Sequence, residues 1–222
     1  MVECTKSDDG GREPPVSLGT TILAACYEGG VVLAADSRTS TGTYVANRAS
    51  DKITCLTENV YICRSGSAAD TQFVARLVQY YLEQHSLELQ EQVQVKTAAN
   101  LVMQVAYRNK DKLQAGMIVA GWDCHGGGSV WAVPLGGTLL QVPYTIGGSG
   151  SAYITGWCDK NWKSGMTKEE CKTFAMRAVS HAMARDGSSG GCIRLVTIDA
   201  HGATADFVPG HQVPVYQDEV LP

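Results

Sequence analysis

The sequence has little of what marks membrane and nucleic-acid-binding proteins. No apolar run approaches the roughly 20 residues that a helix needs to cross a bilayer, and no run of Lys or Arg suggests an anionic membrane surface. The formal net charge of -4 gives no basic field that would hold nucleic acid. We therefore expect neither a membrane partner nor a nucleic-acid partner.

Patterns typical of metal sites and disulfide frameworks are missing as well. The 8 cysteines and 5 histidines contain no C-x-x-C and no histidine pair at helical spacing, and the chain has no N-x-S/T sequon. Most of the cysteines lie in apolar segments, where a free thiol packs as a small hydrophobe. We expect reduced thiols, no metal, no cofactor, and a location in the cytoplasm and nucleus.

What the sequence does contain is the composition of one globular domain after a polar leader. Of its 222 residues, 44% are apolar and 18% are charged, which is too apolar a mixture for disorder. Residues 1–19 are polar and lack both the apolar core of a secretory signal and the Arg-rich pattern of a transit peptide. We expect a propeptide over 1–19 and one domain over 20–222.

Hydrophobic periodicity predicts strands, two helices, strands, two helices and strands, in that order. The predicted strands are 20–27, 31–37, 43–47, 53–56, 59–64, 116–121, 129–134, 138–145, 192–199 and 203–208. The predicted helices are 67–84, 96–112, a short one ending near 161, and one that opens with a capping box at Thr167–Glu170 and ends at Gly187.

The pattern of these segments predicts the fold class. The strand 31–37 is apolar at nearly every position, so both of its faces should be covered. On the first helix, apolar residues at helical spacing predict a buried stripe of Phe73, Val74, Leu77, Val78, Tyr81 and Leu82. Hairpin-linked strands favour antiparallel pairing, and paired helices can cover an outer sheet face. We predict an α+β fold: a four-layer αββα sandwich of two mainly antiparallel sheets between helix pairs.

Two glycine-rich stretches resemble catalytic motifs but stand in the wrong context. Residues 187–191 satisfy G-x-S-x-G, yet the nucleophile elbow of serine hydrolases needs a strand before it and a helix after it. Here a helix precedes and a strand follows. The glycines at 147–150 lack the lysine of a phosphate-binding loop and the full dinucleotide fingerprint. Neither stretch predicts a site by itself.

Thr20, Asp36 and Lys52 are ordinary when each is taken alone. A threonine at a strand start reflects β propensity, an aspartate after a strand is usually a turn residue, and a lone lysine is usually solvated. Their combination, with Thr20 at the junction of the polar leader and an apolar strand, is the informative feature.

Together these residues resemble the N-terminal-nucleophile hydrolases, and specifically the β subunits of the 20S proteasome. The resemblance runs from Gly19 to about Val208. The matching stretches are Gly19-Thr20-Thr21, Ala34-Ala35-Asp36-Ser37-Arg38, Asp51-Lys52, Ser65-Gly66-Ser67-Ala68-Ala69-Asp70, Ala120-Gly121-Trp122-Asp123, Ile146-Gly147-Gly148-Ser149-Gly150-Ser151, Gly165-Met166-Thr167 and Arg185-Asp186-Gly187-Ser188-Ser189-Gly190-Gly191. The resemblance implies the same four-layer sandwich. It also implies polypeptide substrates and partner α and β subunits in stacked heptameric rings.

The resemblance also implies a threonine-protease mechanism. A threonine hydroxyl is a weak nucleophile until a base takes its proton, and an α-amino group with a pKa of about 8 can do so at neutral pH. Thr20 gains that amine only when the Gly19–Thr20 bond is cut. The family pattern gives Lys52 the activation of Thr20, Asp36 the pairing with Lys52, and the Gly66 backbone N–H the oxyanion. Its remaining polar positions, which orient the amine and hydroxyl, are Ser149, Asp186 and Ser189.

Arg64 is the expected determinant of specificity. One alternative is a surface or salt-bridged arginine, and the others are the tryptic and chymotryptic classes, which are less favoured because an arginine should reject basic side chains. In the family, an arginine at this place resembles the caspase-like β1 class, which cleaves after acidic residues, and a planar guanidinium suits a carboxylate. The other positions that match the substrate pocket are Thr39, Ser50, Thr54, Ala68 and Gln72.

Two other functions stay open at this point. A non-catalytic β-type scaffold subunit would keep the fold but should have lost Thr20, Lys52 or Asp36. A different amidohydrolase with an N-terminal nucleophile would lack the stretches 65–70 and 186–191 and would not need a ring.

Overall fold

The computed structural model describes residues 19–214. Its strands are β1 Ile22–Tyr27, β2 Gly30–Ala35, β3 Thr39–Thr41, β4 Tyr44–Asn47, β5 Ile53–Thr57, β6 Val60–Gly66, β7 Ala115–Asp123, β8 Gly127–Val133, β9 Leu140–Val142, β10 Tyr144–Gly147, β11 Ile193–Asp199 and β12 Gly202–Val208. Its helices are α1 Ala68–Leu89, α2 Val95–Arg108, α3 Ser151–Asn161 and α4 Lys168–Arg185, followed by a 3-10 turn, Gly210–Gln212.

Two five-stranded sheets form the centre of the fold. Sheet I has the strand order β10-β1-β2-β11-β12, and sheet II has the order β5-β6-β7-β8-β9. The strand pairs within both sheets are antiparallel, and five of the eight join consecutive strands through short connections. Strands β3 and β4 form a separate hairpin.

Three hydrophobic clusters hold four layers together. One cluster packs α1 and α2 on sheet II, and a second packs α3 and α4 on sheet I. The third lies between the sheets and is built from residues such as Ile22, Leu33 and Ile118. The predicted αββα sandwich is confirmed.

Strand β2 shows why this arrangement suits the sequence. Side chains alternate across a strand, so Val32 and Ala34 join the cluster under the helices while Val31, Leu33 and Ala35 join the cluster between the sheets. Every residue of β2 is buried. The prediction that both faces of this strand are covered is confirmed.

Helix α4 begins with the predicted capping box. The Thr167 side chain accepts a hydrogen bond from the Glu170 amide, and the Glu170 carboxylate accepts one from the Thr167 amide. These reciprocal bonds satisfy two amide groups that have no partner inside the helix. The helix ends at Arg185, so the G-x-S-x-G stretch lies between a helix and β11, as its context predicted.

The predicted stripe on α1 was wrong in part. Val74, Val78 and Leu82 are buried, but Phe73 is 60% exposed and Tyr81 is 49% exposed. A helix of 22 residues on one sheet buries a narrow face, and that face is completed by the small residues Thr71 and Ala75. Apolar spacing alone does not distinguish between two such adjacent rows.

Several element boundaries also differ from the prediction, and strand β3 lies outside every predicted strand. Helix α1 continues to Leu89 and α2 already ends at Arg108. The predicted strand 138–145 is two strands in different sheets, because β9 pairs with β8 in sheet II while β10 pairs with β1 in sheet I. The break falls at Pro143, whose missing N–H prevents continuous ladder pairing.

Over residues 19–214 the side chains form no cluster of His, Cys, Asp and Glu that could hold a metal ion. Within the same residues, no helix is long and apolar enough to cross a membrane. The cysteines at 26, 55, 63, 124, 158, 171 and 192 are free.

Candidate active site

The ends of several strands meet at one edge of the sandwich and bring the predicted residues together. In sheet I, the register pairs Ile22 at the start of β1 with Ala35 at the end of β2. Thr21 therefore lies beside Asp36, whose carboxylate accepts its amide at 2.9 Å. In sheet II, the Arg64 amide donates to the Lys52 carbonyl at 2.9 Å, which joins the end of β6 to the start of β5.

Lys52 and Asp36 form a buried ion pair that bridges the two sheets. Lys52 Nζ lies 2.7 Å from Asp36 Oδ1, and the two side chains are 7% and 0% exposed. Burial lowers the pKa of Lys52, an effect that the nearby Asp36 carboxylate opposes without cancelling. The second carboxylate oxygen of Asp36 accepts the amides of Arg38, at 3.2 Å, and Gly190, at 3.0 Å.

The Thr20 hydroxyl and the Lys52 ammonium converge on the Gly19 carbonyl. Thr20 Oγ1 donates to that oxygen at 2.7 Å, and Lys52 Nζ donates to it at 3.2 Å. A Cβ added to Gly19 would lie 2.0 Å from Ser188 Cβ, so only glycine fits at this position. The carbonyl oxygen of the Gly19–Thr20 peptide bond thus accepts hydrogen bonds from both the Thr20 hydroxyl and the Lys52 ammonium group.

A second carboxylate, Asp186, organises the polar residues behind Thr20. The Thr20 amide donates to Ser149 Oγ at 3.1 Å, and the Ser149 and Ser189 hydroxyls both donate to Asp186 Oδ2 at 2.7 Å. Burial alone would raise the pKa of Asp186, but hydrogen bonds from Ser149, Ser189 and the Ser188 amide outweigh it and hold the pKa below its usual value. Asp186 therefore stays ionised at neutral pH.

Gly66 ends β6 in the left-handed region, with a φ of 98°. A Cβ there would lie 2.2 Å from the Gln114 carbonyl oxygen, so the tight turn into α1 requires glycine. Gly66 and Ser149 line the same cavity, of about 470 Å³. The proposed oxyanion donor and the residue that contacts the Thr20 amide therefore share one space.

The predicted specificity residue, Arg64, is held by oxygen atoms that carry no net charge. Its Nε donates to Thr54 Oγ1 at 2.9 Å, its Nη2 to the Asp51 carbonyl at 2.7 Å, and its Nη1 to Thr71 Oγ1 at 3.4 Å. Burial lowers the pKa of the guanidinium, an effect that the nearby Asp51 carboxylate opposes without cancelling, and the group stays protonated at neutral pH. Among residues 19–214, no carboxylate lies within ion-pair distance of it.

The other predicted pocket residues fall into two groups. Thr39 donates to Ser50 Oγ at 2.9 Å, and Ser50 in turn donates to the Ser37 carbonyl, which ties β3 to the chain before β5. Ala68 and Gln72 are exposed in the first turns of α1, on either side of Thr71 along the chain. Only Thr54 among these residues contacts Arg64 directly.

Sequence reasoning missed two residues of this region. Thr71 is 1% exposed, accepts a hydrogen bond from Arg64 and donates one to the Ser67 carbonyl at 2.9 Å. The sequence feature that could have indicated it is a threonine in line with the apolar residues of a helix. Arg38 belongs to a matched stretch but was given no role. Its Nη1 donates to the Gly187 carbonyl at 2.8 Å, and a Cβ on Gly190 would lie 2.5 Å from its Cζ.

Comparison with known proteins identifies the family of the chain. The family described as "Proteasome subunit" matches residues 16–198. The chain belongs to the proteasome subunit family, in its β type. It is 54% identical to "Proteasome subunit beta type-6" of Arabidopsis thaliana, over 95% of this chain and 90% of that protein.

Two further relatives carry other type numbers. The identity is 50% to "Probable proteasome subunit beta type-1" of Schizosaccharomyces pombe, over 92% of each chain. It is 46% to "Proteasome subunit beta type-9" of Salmo salar, over 96% of this chain and 98% of that protein. As a proteasome β-type subunit, the chain assembles with other α and β subunits in the 20S core particle.

Proposed function

We propose that this β-type subunit is a threonine endopeptidase that cuts its own Gly19–Thr20 bond and then cleaves unfolded polypeptides, preferentially after acidic residues. The observation that carries the proposal is the convergence of the Thr20 hydroxyl and Lys52 Nζ on the Gly19 carbonyl oxygen, at 2.7 and 3.2 Å. A non-catalytic subunit has no use for a buried cation aimed at a peptide carbonyl.

Self-cleavage follows from this arrangement. Thr20 Oγ1 attacks the Gly19 carbonyl carbon, and the Lys52 ammonium stabilises the negative charge that develops on the carbonyl oxygen. As the new C–O ester bond forms, the C–N bond breaks and the hydroxyl proton ends on the Thr20 nitrogen. Water then hydrolyses the ester, which leaves a Gly19 carboxylate and a free amine on Thr20. The propeptide assigned to 1–19 lies outside the described residues except for Gly19.

The same residues support catalysis on a substrate. Once released, the Thr20 amine lies beside Ser149 and accepts the hydroxyl proton through water. The hydroxyl oxygen attacks the substrate carbonyl carbon, the Gly66 N–H holds the oxyanion, and the leaving amine takes up the proton. The resulting ester on Thr20 is hydrolysed by water. Lys52, paired with Asp36, favours the ionised hydroxyl and the neutral amine.

The proposed preference for acidic residues rests on the hydrogen bonds of Arg64, which all go to oxygen atoms without a net charge. A guanidinium has five N–H donors, and three oxygen atoms of the chain account for three of them. The carboxylate of a substrate Asp or Glu would bind the remaining donors through a charge-assisted hydrogen bond. This reasoning supports the caspase-like class for this subunit.

The N-terminus of the subunit isolated from its assembled particle tests the proposal. We expect Thr20 as the first residue, and we expect Thr20→Ala to keep residues before position 20 and to abolish hydrolysis at this site, because no neighbouring hydroxyl replaces the nucleophile. Thr41→Ala, at an exposed residue of β3, is the matched control and should process normally. A particle that is active at this site while the subunit still carries residues before Thr20 would overturn the proposal.

The same measurement distinguishes the proposed protease from a non-catalytic scaffold subunit. A non-catalytic subunit would keep its leader and would not react with an electrophile directed at an N-terminal threonine. We also propose the cytoplasm and nucleus as the location, in keeping with free cysteines in the described part of the chain. Fluorescence microscopy of the tagged subunit tests this, and accumulation in a secretory compartment would contradict it.

A further inference from the structure

We infer that Thr21 is a positioning residue whose hydroxyl orients Ser189 and, through Asp186 and Ser149, the nitrogen of Thr20. The inference rests on the proposed function, since it concerns how the nucleophile is held. Thr21 is fully buried and has no surface that a substrate could contact. It acts through other side chains.

The direction of the hydrogen bonds follows from the acceptor at the end. Thr21 is 0% exposed and Ser189 is 1% exposed, and their hydroxyl oxygens lie 2.8 Å apart. An ionised carboxylate can only accept, so the Ser189 hydroxyl donates to Asp186 Oδ2, at 2.7 Å. The one remaining arrangement has the Thr21 hydroxyl donating to the Ser189 oxygen.

The chain of hydrogen bonds begins at Thr21 and ends at its neighbour Thr20. From Thr21 it passes to Ser189 and Asp186, and Ser149 then links Asp186 to the Thr20 nitrogen, at 2.7 and 3.1 Å. Ser149 and Ser189 donate to the same carboxylate oxygen. A change in the hydrogen bond of one hydroxyl therefore alters the hydrogen bond of the other. Consecutive hydroxyl donors also polarise one another in a buried site.

The surroundings hold the Thr21 hydroxyl in one place. A Cβ on Gly150 would lie 1.9 Å from Thr21 Oγ1, so glycine is what leaves room for this hydroxyl. The backbone of Thr21 is fixed on both sides by Asp36, whose carboxylate accepts its N–H at 2.9 Å and whose amide donates to its carbonyl at 3.1 Å. Thr21 thereby connects the two carboxylates of the site.

Two substitutions separate this role from simple packing. Thr21→Val keeps the shape and removes the hydroxyl, whereas Thr21→Ser keeps the hydroxyl and removes a methyl group. Both are made in an assembled particle whose other active subunits are silenced. The chain is expressed behind a removable polypeptide that ends directly before Thr20, so maturation does not depend on self-cleavage. We expect Thr21→Val to lower kcat about three- to tenfold with little change in KM, and Thr21→Ser to restore most of the rate.

The opposite order of the two variants, with Thr21→Val near the wild-type kcat and Thr21→Ser the weaker, would overturn the inference and leave a packing role. The control is Thr197→Val, a buried threonine of β11 that donates to the Thr204 carbonyl outside the site and should leave kcat unchanged. If the wild-type particle itself shows no hydrolysis that depends on Thr20, the proposed function fails and this inference falls with it. If that hydrolysis is present and unaffected by Thr21→Val, only the inference fails.

Discussion

Two cations of this subunit, Lys52 and Arg64, lie close together along one edge of sheet II but differ in the groups that surround their charges. Lys52 is almost fully buried and has a carboxylate at 2.7 Å. Arg64, on the neighbouring strand, is half-buried and is bound by two threonine hydroxyls and a backbone carbonyl. The first charge has a carboxylate in direct contact, whereas the second is influenced by the Asp51 carboxylate but has no carboxylate within ion-pair distance among residues 19–214.

This difference in surroundings suits Lys52 to the reaction itself and Arg64 to the selection of substrates. A charge balanced by a fixed partner keeps its position and its field whatever the substrate, which suits a group that acts on every peptide bond. A charge whose hydrogen bonds all go to neutral oxygens is oriented but has no ion-pair partner in contact, and it gains most from a ligand that brings a carboxylate. Substitutions at the two sites should therefore change different kinetic quantities.

The largest effect is expected at Lys52. Lys52→Met keeps much of the side-chain volume and removes the charge near the reacting carbonyl, so kcat should fall about hundred- to thousandfold for acidic and apolar substrates alike. It also leaves Asp36 buried without its cation, which should cost about 3–5 kcal/mol of unfolding free energy. Adding Asp36→Asn should recover part of that stability but none of the rate. Recovery of the rate would contradict the role given to the charge.

Asp36→Asn alone tests the role of the Lys52 charge through the pH dependence of kcat. Burial lowers the pKa of Lys52 and the Asp36 carboxylate raises it, so removing the carboxylate lowers the pKa further. The active site needs the cation, hence activity is lost as the pH rises through the Lys52 pKa. We expect the alkaline limb of kcat to move to lower pH in Asp36→Asn. An unchanged limb would mean that Lys52 does not govern it.

The Arg64 substitution should produce a smaller and selective effect. Arg64→Leu removes a charge-assisted hydrogen bond to an acidic side chain, which corresponds to about a ten- to hundredfold loss in kcat/KM for substrates with Asp or Glu before the cut. Cleavage after apolar residues should rise. Arg76→Leu, at an exposed arginine of α1, is the control. Equal losses on acidic and apolar substrates would show that Arg64 supports the fold instead.

The smallest expected effect concerns Thr71, whose hydroxyl lies 3.4 Å from Arg64 Nη1. Thr71→Val keeps the shape of this buried residue and removes one of the three oxygen atoms that orient the guanidinium. We expect kcat/KM for acidic substrates to fall about two- to threefold while apolar substrates are unaffected. A fall of equal size for both substrate classes would assign Thr71 to the packing of α1 alone.

Much of the fold could be predicted because local signals agreed with the final packing. The run of apolar residues in β2 indicated burial on both faces, and the capping box placed the start of α4. The primary site positions were also readable, since Thr20, Asp36 and Lys52 each stand at a strand end within a matched stretch. Where local signals were ambiguous, on the two apolar rows of α1 and across Pro143, the prediction was wrong in part.

The sequence by itself therefore determined the strands and helices, the layer order and the residue types at the reaction centre. Only the tertiary structure decided which atoms meet. Thr21 and Ser189 are separated by 168 positions along the chain, yet their hydroxyls bond because β1, the chain before β11 and the glycine at 150 pack together. Likewise, Arg64 is bound by oxygens from β5, from α1 and from the chain before β5. Periodicity is a local property, whereas such contacts depend on how separate elements pack.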